Sequence, residues 1–308
     1  MENDIAIRTV NLTKVFGDNV AVDNLNLEIR KGELFGLVGP DGAGKTTVMR
    51  LLSAILRPSS GDAWIAGHSI RSEEERIKEK IGYMSQRFGL YEDLTVIENI
   101  GFYADLYSVP LGERPSRYER LLGFSNLSPF KKRLAGNLSG GMKQKLGLSC
   151  ALVHTPEVLF LDEPTGGVDP VSRRDFWRIL YDLLKERVTI FLSTAYLDEA
   201  ERCTRIALIH KGKILVTDDP SSVKKMLGVP MIEITTPEAR SAGDSLKPLE
   251  GVLSVNTYGD RIHVAMRRKE SGKEIVDHLR AHGFSVEGER WIEASLEDVF
   301  ISMTKDRG

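Results

Sequence analysis

The sequence has few of the residues and patterns that mark several large protein classes. Only two cysteines occur among 308 residues, and they lack the close pairing that zinc sites and redox motifs use. We therefore expect Cys150 and Cys203 to be inert thiols in a reducing compartment, and the fold must form without disulfides. The formal net charge is only −2, so no global basic field attracts nucleic acid or anionic lipid.

Leader-like and membrane-spanning patterns are also missing. The opening MENDIAIRTV lacks the basic-then-apolar order of a signal peptide. Every apolar run falls well short of the ~20 residues that a membrane-spanning helix needs. We expect a cytosolic protein, and any membrane role must come through a partner.

What is present is the composition of a globular protein with room for more than one domain. Hydrophobic residues make up 41% and charged residues 28% of the chain. Compact apolar runs at 33–39, 157–164 and 188–194 alternate with segments of helical periodicity, whereas 90–150 lacks strand signals and looks helical. This order predicts an α/β fold with a mostly parallel sheet covered on both faces.

The pattern changes within 220–231, and we divide the chain into domains at 1–225 and 226–308. Beyond the division, short alternating segments accompany an amphipathic helix around KEIVDHLRAHG. In RIHVAM, Ile262, Val264 and Met266 share one face at the period of a strand. The second domain is therefore predicted to be a small α+β unit. We expect it to contact the same unit of a second chain or to tune the first domain, and an inert stabilising appendage is the alternative.

A glycine-rich segment, GPDGAGKTT, directly follows the first compact apolar run. Its spacing matches G-x-x-x-x-G-K-[ST], in which successive backbone N–H groups point at phosphate oxygens where a helix begins. Lys45 would reach the β- and γ-phosphates, and the Thr46 hydroxyl would hold Mg²⁺. An ordinary turn between a strand and a helix is the alternative. The predicted nucleotide-binding residues here are Gly39, Pro40, Asp41, Gly42, Ala43, Gly44, Lys45, Thr46 and Thr47.

Two acids end the later apolar run VLFLDEP. Asp162 would hold Mg²⁺, and Glu163 would polarise the water that attacks the γ-phosphate. Solvated acids at a strand end are the alternative, but the apolar run delivers this pair to the sheet edge where α/β ligands bind. ATP and Mg²⁺ are the expected cofactors.

Between these motifs lies LSGGMKQKLGLS, and with it the chain resembles the ABC ATP-binding cassettes. Further matches follow in the family's order: Phe16 where an aromatic ring stacks on adenine, Gln86 in the Q-loop, and Asp169 in the D-loop. A core aromatic is the alternative for Phe16. The resemblance covers about residues 5–220. It implies a P-loop NTPase (RecA-like) core with an antiparallel β subdomain and a helical subdomain at about 90–150.

The resemblance also implies roles for individual residues. The expected catalytic residues are Glu163, Lys45 and Gln86. The expected metal ligands are Thr46, Gln86 and Asp162. The expected signature residues are Ser139, Gly140, Gly141 and Gln144. These signature residues would contact ATP bound by the other subunit of a head-to-tail dimer, so that neither chain completes a site alone.

The segment EASLEDVFISMT (293–304) is similar to the ending of cassettes that serve ABC-2-type exporters, including drug exporters. Ser295 and Asp298 fit a capping pair on a last helix. Other stretches resemble the first cassette of bacterial tandem-cassette exporter ATPases. The resemblance implies a membrane permease and a second cassette as partners, in a homodimer or heterodimer, and no nucleic acid. It also implies a peripheral position on the cytoplasmic face of the membrane. The cargo stays open.

Two departures from the family pattern affect the catalytic machinery. Gly167 and Val168 occur in a loop that usually reads SGLDP, and Ala195 replaces the switch histidine. Because a methyl group cannot donate a hydrogen bond to the γ-phosphate, we expect this chain's own site to be weakened. The alternatives are a site in which Glu163 suffices, a non-hydrolysing ATP-sensing subunit, and a soluble cassette ATPase of translation or DNA maintenance.

Overall fold

The computed structural model describes residues 4–86, 89–269 and 271–305. The chain forms two compact units, Met1–Thr217 and Asp218–Gly308. The strands are β1 Ile5–Phe16, β2 Asn19–Arg30, β3 Leu34–Val38, β4 Ser60–Ile65, β5 His68–Ser69, β6 Ile81–Met84, β7 Val158–Asp162, β8 Thr189–Thr194, β9 Arg205–His210, β10 Lys213–Asp218, β11 Met231–Thr235, β12 Val252–Tyr258, β13 Arg261–Met266 and β14 Gly288–Ile292. The α-helices are α1 Lys45–Leu52, α2 Glu74–Lys80, α3 Val96–Leu106, α4 Arg114–Phe124, α5 Gly140–Leu152, α6 Pro170–Lys185, α7 Leu197–Ala200, α8 Pro220–Lys225, α9 Ala239–Leu246, α10 Ser271–Ala281 and α11 Leu296–Lys305. None of these helices, within the described ranges, is both long and apolar enough to cross a membrane.

A six-stranded sheet in the order β10-β9-β3-β8-β7-β6 organises the first unit. The four pairs from β9 to β6 are parallel, and every residue of β3, β7 and β8 is buried. Buried strands of this kind need apolar residues on both faces, which explains the compact apolar runs of the sequence. The predicted α/β class is confirmed.

A second sheet, in the order β2-β1-β4-β5, is antiparallel and has one buried face. In β2, Leu25, Leu27 and Ile29 are buried, whereas Asn26 and Glu28 are exposed. Helix α1 contacts strands of both sheets, and its apolar side chains share one core with them. This packing fixes the start of α1 relative to the strands that precede and follow it.

Helices α3, α4 and α5 form the helical part of the first unit between β6 and β7. A capping box between Thr95 and Glu98 starts α3, and the Ser139 hydroxyl caps α5. Both cysteines are buried and free, and burial raises the pKa of the Cys203 thiol to about 12. Inert thiols were the prediction, and a raised thiol pKa agrees with it.

The second unit contains a four-stranded antiparallel sheet in the order β12-β13-β11-β14. Helices α9 and α10 cover one face, where Ile262, Val264 and Met266 are buried as the alternation predicts. This is the small α+β fold that the sequence indicates. The observed division falls at 217/218 rather than at 225/226, because Asp219 caps helix α8, which packs against α11 within the second unit.

Candidate functional site

The carboxyl ends of three buried strands meet at one edge of the parallel sheet. Val38 of β3 lies opposite Thr194 of β8, and Asp162 of β7 lies opposite Ser193. The loops that follow are tied together, since the Gly39 N–H donates to the Thr194 carbonyl at 3.2 Å. Parallel strands bind ligands at this edge, so the topology assembles the predicted motifs in one place.

The glycine-rich loop between β3 and α1 adopts a conformation that other residues would disfavour. Gly42 has φ 76° and Gly44 has φ 107°. A Cβ atom at Gly44 would also lie 2.4 Å from the Ala21 carbonyl oxygen. Because Gly44 immediately precedes α1 and lines the cleft, the first N–H groups of this helix and its positive end lie beside the cleft.

Lys45 brings a buried positive charge to this loop, with its side chain only 4% exposed. Its Nζ donates to the carbonyl oxygens of Gly39 at 2.8 Å and Pro40 at 3.1 Å. Glu163 Oε1 lies 3.0 Å from the same nitrogen, and Asp41 Oδ1 lies 3.8 Å away. An anion placed at the loop would therefore meet an ammonium group that the backbone already holds in position.

An open cleft of about 710 Å³ runs along this loop and is large enough for a nucleotide. Phe16, Thr46 and Gln86 line it. The Phe16 ring is 48% exposed, with Lys14 Nζ 5.0 Å from its centroid, so the alternative of a core aromatic is wrong. Lining residues that sequence reasoning missed are Asn19, Val20, Ala21, Lys211 and Gly212.

Gly212 is the missed residue that a sequence signal could have revealed. This glycine stands between two apolar runs of the sequence, in the turn from β9 to β10, and its N–H donates to the Ala43 carbonyl at 3.0 Å. The turn therefore braces the glycine-rich loop from a position far along the chain. Val20 and Ala21 carry no such signal, since only the packing of β2 against α1 brings them to the cleft.

Asp162 ends β7 as a buried carboxylate, only 1% exposed. Its Oδ1 accepts a hydrogen bond from Ser193 Oγ at 2.6 Å, while its Oδ2 is buried and has no hydrogen-bond partner among the described residues. An unsatisfied buried carboxylate oxygen is costly unless a ligand completes it. Carboxylate and hydroxyl oxygens are ligands that Mg²⁺ prefers, so Asp162 and Thr46 fit a magnesium ion.

Glu163 follows Asp162 in a left-handed conformation, with φ 48°. Such a conformation costs a non-glycine residue about 1–3 kcal/mol and persists where its surroundings fix it. Here the Glu163 N–H donates to Ser193, and Gln86 Nε2 donates to Glu163 Oε2 at 2.9 Å. Lys45, Gln86 and Glu163 thus form one contact group at the cleft. Ser193 is a further residue that sequence reasoning missed.

The predicted signature residues and Asp169 lie on α5 and α6 or cap them, and they are not among the described residues that line the cleft. Ser139 and Gly140 are exposed at the start of α5, and Gln144 is half-buried. A Cβ atom at Gly141 would lie 2.3 Å from Ser172, so the two helices pack closely there. Asp169 caps α6, and hydrogen bonds from Ser172 and Val171 lower the pKa of its carboxyl.

Comparison with known proteins identifies the family. Residues 22–166 match the ABC transporter family model, and residues 219–304 match the model of the DrrA1-3-like C-terminal domain of ATP-binding proteins. The daunorubicin/doxorubicin resistance ATP-binding protein DrrA of Streptomyces peucetius is 32% identical over 304 residues, which cover 97% of this chain and 92% of DrrA. The chain belongs to the ABC transporter ATP-binding proteins. These proteins are P-loop ATPases, so the predicted family and enzyme class are confirmed.

Other relatives of this cassette agree. The probable multidrug ABC transporter ATP-binding protein YbhF of Escherichia coli (strain K12) is 48% identical over 237 residues. That match covers 76% of this chain but only 41% of YbhF. Among solved structures, the dimeric bacterial ABC transporter cassette MJ0796 matches with a TM-score of 0.64 at 26% identity, over 69% of this chain and 98% of that one.

The cassette has no hydrogen-bonding side chain at position 195. Ala195 is exposed immediately after β8, and the flanking backbone is held by a hydrogen bond from the Tyr196 N–H to Thr194 Oγ1 at 2.9 Å. Tyr196 is 42% exposed, and the Arg173 guanidinium lies 4.8 Å from its ring centroid. The loop is therefore ordered by its neighbours, and the methyl group of Ala195 offers nothing to a phosphate.

Proposed function

We propose that this chain binds and hydrolyses ATP to power an ABC-2-type membrane exporter. The observation that carries the proposal is the contact of Lys45 and Gln86 with Glu163 beside the glycine-rich loop. A cation for phosphate, a carboxylate base and an amide that orients the base are groups that serve in-line hydrolysis of a phosphoanhydride. The exporter assignment is supported by relatives named for multidrug and daunorubicin resistance.

The residues of the cleft divide the work between binding and chemistry. The ring of Phe16 stacks on the adenine base, while the backbone from Gly39 to Thr47 and the ammonium of Lys45 hold the phosphates. Thr46, Gln86 and Asp162 would hold Mg²⁺, and the ion would supply neutralisation of charge on the phosphate oxygens. Glu163 accepts the proton of the attacking water, at a carboxylate that Gln86 already orients.

The signature residues act on a second site in a head-to-tail dimer. Ser139 and Gly140 are exposed at the start of α5, away from this chain's own cleft, so a partner can reach their N–H groups. The similarity to a dimeric cassette supports such an arrangement. A membrane permease is the further partner, which gives the chain a peripheral position on the cytoplasmic face. The second unit contacts its counterpart or tunes the cassette.

Ala195 makes this chain's own site the slower of two. Loss of one preorganised donor commonly costs about 10²–10³ in rate. A heterodimer whose second cassette retains a histidine would keep full turnover at the partner's site. A non-hydrolysing ATP sensor is the second candidate, and the exposed methyl group at position 195 is the observation that favours it.

Lys45→Ala tests nucleotide binding directly. We expect the affinity for ATP to fall sharply, because Lys45 Nζ is held where the phosphates would lie. The measurement is equilibrium binding of a fluorescent ATP analogue. The control is Lys31→Ala, which alters an exposed lysine before β3, at the end of the strand opposite the glycine-rich loop. Unchanged affinity and turnover in Lys45→Ala would contradict the proposal.

Three substitutions in the assembled complex separate an asymmetric transporter from an ATP sensor. We expect Gly140→Asp to remove most turnover by spoiling the partner's site. Within this chain the new side chain has room, since a Cβ atom at Gly140 would meet no heavy atom of the described residues within 4 Å beyond its chain neighbours and its own helix backbone. Glu163→Gln should cost much less, and Ala195→His should raise turnover at this chain's own site. If Glu163→Gln abolishes all hydrolysis and Ala195→His changes nothing, the asymmetry is wrong.

A further inference from the structure

A buried carboxylate lies behind the catalytic edge of the sheet, where no predicted motif called for one. Glu199 belongs to the short helix α7 and is only 1% exposed. Its Oε2 accepts a hydrogen bond from Thr194 Oγ1 at 2.7 Å, and its Oε1 accepts one from Thr165 Oγ1. Arg173 Nε lies 3.8 Å from Oε1. A buried charge is tolerated only with such partners, so the arrangement is specific.

Each of the three partners belongs to a different functional segment. Thr165 lies in the turn that begins at Glu163, whose carbonyl accepts the Gly166 N–H at 3.2 Å. Thr194 precedes Ala195 and holds the Tyr196 N–H through the same hydroxyl that contacts Glu199. Arg173 lies on α6, the helix that Asp169 caps. The Glu199 carboxylate therefore connects three segments: the turn that begins at the base Glu163, the loop at position 195, and helix α6.

We propose that Glu199 is a positioning residue for ATP hydrolysis, which holds Glu163 and the backbone around position 195 in the positions that the reaction requires. This inference rests on the proposed hydrolysis at the cleft. The strained conformation of Glu163 persists only if its surroundings fix it, and Thr165 anchors the turn two positions further on. Because Ala195 has no polar side chain, Thr194 and Glu199 provide the side-chain anchor of that loop.

The link to Arg173 gives the same carboxylate a role between the two sites of a dimer. Arg173 also lies 3.6 Å from Asp198 and stacks on Tyr196, so α6 and the loop after β8 are joined by charge and by ring contact. Movement of Asp169 at the start of α6 would be transmitted through Arg173 to Glu199. Both catalytic loops would then respond to the state of the D-loop.

The test compares Glu199→Gln with the wild-type chain in steady-state ATP hydrolysis by the assembled complex. Glutamine keeps the shape of the side chain but removes its charge and replaces one acceptor by a donor. Own-site turnover is the rate above that of Glu163→Gln. We expect the own-site kcat to fall about tenfold or more, because small displacements of reacting groups cost large factors in rate. KM and nucleotide affinity should stay within about twofold.

Matched variants separate positioning from simple loss of stability. Glu33→Gln alters another buried carboxylate, 6% exposed and 3.1 Å from Arg205, at the opposite end of β3. We expect Glu33→Gln to lower the melting temperature but to leave own-site kcat unchanged. Thr165→Val and Thr194→Val should reproduce the Glu199→Gln defect, and Thr165→Ser and Thr194→Ser should restore the rate. Equal loss of kcat in Glu33→Gln and Glu199→Gln, or serine variants as slow as valine variants, would overturn the inference.

Amide hydrogen exchange provides a readout that does not depend on hydrolysis. Glu199→Gln should speed exchange at residues 163–168 and 195–197, whereas Glu33→Gln should not. If the wild-type rate equals that of Glu163→Gln, the proposed hydrolysis at this site is wrong, and exchange alone then decides the positioning role. Unchanged exchange in both segments would reject it.

Discussion

Asp162 in the first unit and Asp298 in the second are buried to the same degree, 1% exposed, but their surroundings differ. Asp162 accepts one hydrogen bond, from Ser193, and leaves Oδ2 without a partner among the described residues. Asp298 accepts hydrogen bonds on both oxygens, and none of its capacity is left for a ligand. Its donors are Asn256, Tyr258, His263 and Ser295.

The Asp162 carboxylate therefore has an oxygen available to a ligand, whereas the Asp298 carboxylate stabilises a helix. An unpartnered buried oxygen destabilises the fold and persists where function requires it. A saturated carboxylate stabilises whatever carries it, here the final helix α11, which Ser295 and Asp298 cap as predicted. Although burial raises it, hydrogen bonds from His263 and Ser295 keep the pKa of Asp298 well below its usual range.

The largest expected effect is on turnover and comes from Asp162→Asn. Removal of the charge that fits Mg²⁺ should slow hydrolysis at this chain's own site, the rate above that of Glu163→Gln, about 100-fold or more, since a metal supplies several kcal/mol of charge stabilisation. The melting temperature should not fall, because an unsatisfied charge is also removed. An ATP hydrolysis assay measures the turnover and thermal unfolding measures the melting temperature. Asp182→Asn, which alters an exposed aspartate, is the control. Wild-type turnover at the own site of Asp162→Asn would contradict the proposed difference in role between Asp162 and Asp298.

Asp298→Ala should have the opposite profile. We expect the free energy of unfolding of the second unit to fall by about 3 kcal/mol, because five donor groups on four residues lose a buried acceptor. Nucleotide affinity should be unchanged. Denaturant unfolding of the full chain measures the loss, and Asp244→Ala, whose exposed carboxylate pairs with Lys247, should change nothing measurable. Equal stability of Asp298→Ala and wild type would show that α11 does not depend on this network.

The smallest effect is a dependence of the second unit's stability on pH. Burial lowers the pKa of His263, but hydrogen bonds to Asp298 and Glu233 outweigh burial and raise the pKa above the ordinary value of about 6.5 for histidine. A raised folded-state pKa stabilises the protonated form, so this contribution is complete below about pH 6.5 and is lost as pH rises through the folded-state value. The charged and titratable groups around the ring include Glu233, Asp298, Glu297 and Tyr258, with Arg261 and Arg290 paired to Glu233.

Thermal unfolding of the full chain across that range checks the expected sign. His263→Gln should flatten the decline in melting temperature above pH 6.5, because glutamine does not titrate. His282→Gln, at an exposed position of the same unit, is the matched control and should keep the wild-type slope. A His263→Gln profile as steep as that of wild type would locate the pH dependence elsewhere.

The sequence by itself determined the features whose physical cause is local. These features are the glycine-rich loop, the two acids at the end of β7, and the alternation in β2 and β13. Each follows from a few consecutive residues that must bury one face or turn tightly. In the folded chain, burial and hydrogen bonds hold Asp162 and Glu163 in place at the end of β7. The site roles themselves stay predictions until the variants above are measured.

Only the tertiary structure decided which distant residues complete these local features. Ser193 holds both Asp162 and Glu163 across a strand pairing, and Gly212 braces the glycine-rich loop from the far end of the first unit. Glu199 and Asp298 resemble ordinary helix carboxylates in the sequence, because solvation and burial look alike there. Their roles depend on hydrogen-bond partners that only folding brings within 3 Å or so, and such partners leave no periodic signal along the chain.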